Sequence, residues 1–124
     1  MLATHQKIMT VHDSVDEIVS AFLDFALYYQ NNQFGVPLCT QYYRHELPQK
    51  LIASAYADIL NFASEVRKRT RKNFDPVQLG VDFYFARNGG LTGFWDKPKI
   101  YGEHAMLLQE IAEKYQPFYI EINE

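Results

Sequence analysis

The chain has little of what holds small or specialised folds together. Its single cysteine, Cys39, has no intramolecular disulfide partner, so a disulfide-stapled scaffold is excluded. With no basic-then-apolar leader at the start of the sequence, a reducing, cytoplasmic setting is expected. Cys39 itself, with no His or Asp at a motif-like spacing, reads as a small buried hydrophobe. No apolar run approaches the roughly 18 residues that a membrane-spanning helix needs, so no membrane partner is expected. There is no glycine-rich phosphate loop ending in Lys-Ser or Lys-Thr, no Cys-x-x-Cys or His-x-x-x-His pair, and no Gly-x-Ser-x-Gly elbow. His5, His12, His45 and His104 are scattered, and neither a metal nor a cofactor is expected.

What is present fits one soluble domain. A chain of 124 residues with 48% hydrophobic and 22% charged residues can bury a core without staples. Nine Phe, nine Tyr and one Trp make that core aromatic, because these side chains bury the most area each. The net charge of −3 is unevenly spread. Five basic residues fall in Arg67-Lys68-Arg69-Thr70-Arg71-Lys72, a concentrated positive patch on an acidic body.

Two helices are expected in the first half. Ser14-Val-Asp-Glu17 has the form of a capping box, and Val15, Ile18, Val19, Phe22, Ala26 and Tyr29 follow at three- and four-residue steps, predicting a helix over Val15–Gln30. Pro48 suits a helix first turn. Leu51, Ile52, Ala55, Tyr56, Ile59, Leu60, Ala63 and Val66 then predict a helix over Pro48–Arg69. The basic run closes it, as cations at a helix C-terminus do, but five in six exceeds that need and leaves polyanion contact open. The irregular stretch between the helices carries Tyr42, Tyr43, Arg44 and His45, which read either as pins to the core or as stacking and anion-binding groups.

The second half centres on Asp82–Asp96. Asn73-Phe74-Asp75-Pro76 reads as a turn. Val81–Arg87 is rich in β-formers, Asn88-Gly89-Gly90 tolerates positive φ, and Leu91–Trp95 resumes the apolar pattern, so a β-hairpin is expected. In that hairpin Phe83, Phe85, Arg87, Thr92, Phe94 and Asp96 share a core-facing side, while Asp82, Tyr84 and Trp95 face outward. The outward aromatic pair is either covered by another element or forms a stacking surface for a ligand. Lys97-Pro98-Lys99 ends the second strand, Gly102–Lys114 predicts a third helix with Leu107, Leu108, Ile111, Ala112 and Tyr115 inward, and the alternation of Phe118, Ile120 and Ile122 predicts a final strand. The expected fold is α+β: one domain in the order α, α, β, β, α, β, with a small mostly antiparallel sheet packed on helices.

Asp82, Phe83, Arg87, Asn88, Gly89, Gly93, Phe94, Trp95 and Asp96 stand at matching places in a pattern that reads approximately D-F-W-L-T-R-N-G-H-G-A-G-F-W-D. In this the segment resembles a family of small, functionally uncharacterised proteins of tailed bacteriophages and prophages. Gly90 replaces the family's histidine, and Leu91-Thr92 its Gly-Ala. The resemblance implies a phage or prophage origin and supplies no reaction.

The leading expectation is a small accessory protein in the cytoplasm of a bacterial host that binds a host or phage macromolecule, or a small ligand. Tyr84, Asp82, Arg87, Asn88, Gly89, Trp95 and Asp96 are the candidate binding residues. The alternative is a nucleic-acid-binding protein in which Arg67, Lys68, Arg69, Arg71 and Lys72 meet phosphates while Trp95 stacks on bases. A third reading is a small hydrolase-like enzyme with Asp82 and Asp96 flanking a pocket and Arg87 stabilising an anion. Each of these residues also has a structural reading: Asp82 bonding turn amides or Lys97, Asp96 capping the chain before Pro98, Arg87 bracing the tip.

Overall fold

A computed structural model describes residues 11–122. The arm expected before Val11, with His5, and the end of the expected final strand at Asn123 lie outside them. Helix α1 spans Val11–Tyr29, α2 Gln49–Thr70, α3 Pro76–Arg87, α4 is a single turn at Pro98–Tyr101, and α5 spans Ala105–Ala112 after a 3-10 turn at Gly102–His104. Two further 3-10 turns, Leu38–Thr40 and Arg44–Glu46, lie between α1 and α2. Among the described residues there is no strand or sheet, only an isolated antiparallel bridge between Asn31 and Pro37. The α+β expectation is therefore overturned, and with it the β-hairpin.

The hairpin is a helix because its punctuation serves helices equally well. Asp75 is the N-cap of α3, its carboxylate accepting from the Gln78 amide at 2.9 Å, and Pro76 occupies the first turn, where its missing N–H costs nothing. At the other end Asn88 is the C-cap, Gly89 takes the left-handed conformation with φ 70°, and the Gly90 amide returns to the Phe85 carbonyl at 3.0 Å. That closure is a Schellman motif, so Asn-Gly-Gly ends a helix and does not turn a ribbon. Aromatic residues carry only a modest helix penalty, which burial overrides.

The α1 and α3 helices form the most extensive helix pair, and Gly80 sets their distance. A Cβ at Gly80 would lie 2.6 Å from the Ile18 carbonyl oxygen and 3.0 Å from the Phe22 amide nitrogen, so only hydrogen fits. Across this contact Phe22, fully buried, meets the rings of Phe83 at 5.6 Å, Tyr84 at 5.7 Å and Phe118 at 4.9 Å. On the other flank Phe83 stacks on Phe62 of α2 at 4.2 Å, and Phe62 reaches Phe94 at 5.7 Å. The core is the aromatic one that composition anticipates, with α3 at its centre.

Other boundaries move in instructive ways. The α1 helix already runs at Val11, so Ser14–Glu17 lies inside it and caps nothing. Pro48 is the N-cap of α2 and stands just before its first turn. Pro98 opens α4 where a strand end was expected. Leu108, Ile111 and Ala112 of α5 are buried, with Leu107 and Tyr115 packed beside them. Cys39 is exposed, contrary to the expected burial, because its 3-10 turn buries only Leu38.

The segment expected as the final strand has no strand partner among the described residues, and side-chain amides bond its backbone. Asn88 Nδ2 donates to the Phe118 carbonyl at 2.9 Å while its Oδ1 accepts from the Phe118 amide at 2.9 Å. From the end of α1, Gln30 Nε2 donates to the same carbonyl at 2.9 Å, and Gln30 Oε1 accepts from the Ile120 amide at 2.9 Å. Buried backbone must be paired, and here two side chains act as a ladder for the backbone of Phe118 and Ile120.

Candidate functional site

The Asp82–Asp96 stretch divides into a buried half and a presented half. Asp82 is 1% exposed. Its Oδ2 accepts from the Tyr101 hydroxyl at 2.5 Å and from Gln78 Nε2 at 2.8 Å. Lys97 Nζ lies 3.1 Å from Oδ1, an ion pair outside hydrogen-bond angles, which leaves that oxygen without a directed donor. Burial, then donation to Asp82, pushes the Tyr101 phenol well above its ordinary value.

Arg87 is equally enclosed. Its Nε donates to the Gln116 carbonyl at 2.8 Å and Nη2 to Asp58 at 2.9 Å. The guanidinium lies over the rings of Phe83 at 5.1 Å, Tyr115 at 5.5 Å, Phe118 at 5.6 Å and Phe22 at 5.7 Å. Nη1 has no hydrogen-bond partner, and these ring faces supply its electrostatic compensation. Burial lowers its proton affinity while Asp58 opposes the shift. Tyr84, 2% exposed, accepts from Gln30 Nε2 at 2.7 Å. Of the aromatic pair expected to face outward, Tyr84 is thus covered, whereas Trp95 is 50% exposed.

The presented half is a loop closed on itself. Asp96 accepts from the Thr92 hydroxyl at 2.6 Å and from the Gly93 amide at 3.0 Å. The Thr92 hydrogen bond is the main cause holding the Asp96 carboxyl below its ordinary value, with the Gly93 amide and Lys97 acting in the same direction. Lys97 Nζ donates to Thr92 Oγ1 and to the Gly93 carbonyl, both at 2.7 Å. From α5, Gln109 Oε1 accepts from the Phe94 amide at 2.9 Å and the Trp95 amide at 3.4 Å. A Cβ at Gly93 would come within 2.5 Å of Gln109 Oε1, so any larger residue there would displace the side chain that seats the loop. The loop anchors itself through buried Phe94 and holds Leu91, 97% exposed, and Trp95 outward.

Asn88 and Gly89 are consumed in capping and in holding Phe118, as described above. Lys97 stands between two of the three residues Asp82, Arg87 and Asp96, 3.1 Å from Asp82 and 3.5 Å from Asp96, whereas Arg87 is held apart by Asp58 and Gln116. Of their expected structural roles, Asp82 does pair with Lys97, but Asp96 does not cap the chain before Pro98: it bonds back to Thr92 and Gly93, and the α4 N-cap is Lys97, with no side-chain cap bond. Asp58, Gln109 and Gln30 were missed, because each acts across long sequence separations that no local pattern signals.

The basic run lies where the α2 helix ends. Arg69 pairs with Glu65 at 3.3 Å. Arg71 adopts φ 59°, a left-handed C-cap. Arg67, Lys68, Arg71 and Lys72 are exposed and have no acidic partner among the described residues. Trp95 does not line the clefts beside them, so base stacking and phosphate contact are not brought together there. In the α1–α2 connection Tyr43 stacks on His45 with centroids 5.6 Å apart, Arg44 pairs with Asp24 at 2.8 Å, and Tyr42 packs against the core.

Among the described residues no group of histidine, cysteine and acidic side chains could hold a metal ion, and no helix is long and apolar enough to cross a membrane. Comparison with protein-family models, curated proteins and solved structures found no match.

Proposed function

We propose that this protein is a phage- or prophage-encoded accessory protein that works in the host cytoplasm by binding a host or phage protein, with Leu91 and Trp95 as its anchors. One observation carries the reading. A loop whose backbone is fixed by Asp96, Lys97 and Gln109 points two large apolar side chains at solvent, 97% and 50% exposed. A loop already held in one shape loses little entropy on docking, and tryptophan is the side chain most often found at the energetic centre of protein interfaces. A catalytic reading has weaker support, because Asp82 and Arg87 are buried against internal partners. The phage setting rests on the resemblance of Asp82–Asp96.

The test is affinity capture from host lysate, with and without phage proteins, using the full chain as bait, followed by quantitation of the captured protein. Leu91→Ser and Trp95→Ala should each reduce capture about tenfold or more, a loss of about 1.4 kcal/mol of binding free energy, with an unchanged circular dichroism spectrum. Equal capture by wild type and both variants contradicts the proposal.

A further inference from the structure

One charged surface with no acidic partner among the described residues, Arg67, Lys68 and Lys72, sits over an apolar hole. Between the N-terminal part of α1, the C-terminal part of α2 and the start of α3 lies a cavity of about 340 Å³, within the range of small-molecule sites. Its inner wall includes Val15, Ile18, Val66 and Leu79, all buried, with half-buried Phe74 beside them. Its mouth is formed by Arg67, Lys68 and Lys72. A second cleft of about 390 Å³ shares Arg67 and Lys68 and adds Arg71. Among the described residues no acidic side chain lines either space, whereas the groove beside Asp16, Glu17 and Asp24 on α1 is acid-rimmed.

The mouth is held in shape. Thr70 Oγ1 donates to the Val66 carbonyl at 2.8 Å and accepts from the Lys72 amide at 3.1 Å, and the Arg71 amide closes on the Arg67 carbonyl at 2.9 Å. Arg71 stands in a left-handed C-cap where glycine or asparagine is the unstrained choice. Arginine there places one more cation at the cleft. Arg69, the one member of the run with an acidic partner, lines neither space.

We propose that this cavity binds a small amphipathic anion, its aliphatic part against Val15, Ile18, Val66 and Leu79 and its carboxylate or phosphate head at Arg67, Lys68 and Lys72. Charge and shape select together. An apolar interior excludes inorganic anions from the depth of the site, and the ring of cations disfavours a neutral or cationic amphiphile. The site shares no residue with the Leu91–Lys97 loop, so either can fail without the other.

The test is isothermal titration of the full chain below the critical micelle concentration, with decanoate and decyl phosphate as probes and octyl glucoside, inorganic phosphate and a short DNA duplex as controls. Saturable one-to-one binding of decanoate, decyl phosphate or both supports the site, and their relative affinity distinguishes a carboxylate from a phosphate head. Arg67→Gln combined with Lys72→Gln should weaken that binding about tenfold or more, as expected for lost charge-assisted contacts. Ala63→Leu, which fills the cavity from α2, should weaken it comparably. Absence of saturable binding overturns the proposal. So does unchanged binding by the Arg67 and Lys72 double variant, or octyl glucoside, phosphate alone or DNA binding as tightly as the anionic amphiphiles.

Discussion

The two halves of Asp82–Asp96 use similar residues for opposite ends. From Asp82 to Asn88 the polar side chains turn inward: a carboxylate, a guanidinium and an amide each meet partners from distant parts of the chain. From Leu91 to Lys97 the polar groups turn mainly on the loop itself, Lys97 also reaching Asp82, and leave apolar side chains outside. An arginine or aspartate in a conspicuous motif therefore carries no functional meaning until its hydrogen bonds are accounted for. Here the charged residues hold the fold, and the tryptophan and leucine are left over.

The sharpest way to break this comparison is to remove Arg87. Arg87→Met leaves Asp58 and the Gln116 carbonyl without their donor in a mostly enclosed site, and urea unfolding should show a loss of about 3–5 kcal/mol. A loss below about 1 kcal/mol, the range of exposed pairs, would move Arg87 to the functional side. Asp82→Asn should cost about 2 kcal/mol, since it keeps the shape but weakens the Tyr101 contact and the Lys97 pair, the latter partly solvated with its lysine side chain 22% exposed. Asn88→Ala should cost about 1–2 kcal/mol and accelerate amide exchange at Phe118, whose N–H it accepts; unchanged exchange there would deny the ladder role.

The smallest effect belongs to the loop and appears as a dependence on pH. The Asp96 carboxyl titrates below its ordinary value, so its contribution is fully present above the unfolded-state value and is lost as the pH falls through the lowered, folded one. Exchange protection at the Gly93 amide should fall in acid, with little change in global stability. Thr92→Val should shift that loss to higher pH, and an unshifted profile would show that Thr92 does not hold Asp96.

How much of this was legible in the sequence depended on which helices have a polar side. The α1, α2 and α5 helices have apolar stripes with solvated backs, and their three- and four-residue steps place them within a few residues. The α3 helix has no such contrast. Besides Leu79, Phe83 and Ala86 it buries Asp82, Tyr84 and Arg87, so its aromatic run reads as strand and its caps read as turns. The alternation at Phe118, Ile120 and Ile122 matches the burial of Phe118 and the exposure of Tyr119, but the segment is no strand, and nothing local reveals that Gln30 and Asn88 pair with its backbone. Within the candidate site, the pairing of Lys97 with Asp82 could be read, while Asp96, expected to cap the chain ahead of Pro98, bonds back to Thr92 and Gly93. Asp58 and Gln109, which decide that Arg87 is buried and that the loop is rigid, could not be read.

The most direct test of the division is the urea midpoint of Arg87→Lys. Lysine keeps the charge but gathers its donors on one nitrogen, so it does not reproduce the Nε and Nη2 fork that reaches the Gln116 carbonyl and Asp58, and it has no flat group to lie between the rings. The structural role requires Arg87→Lys to unfold nearly as early as Arg87→Met. A midpoint equal to that of the wild type would contradict the account, because a charge alone would then satisfy the position.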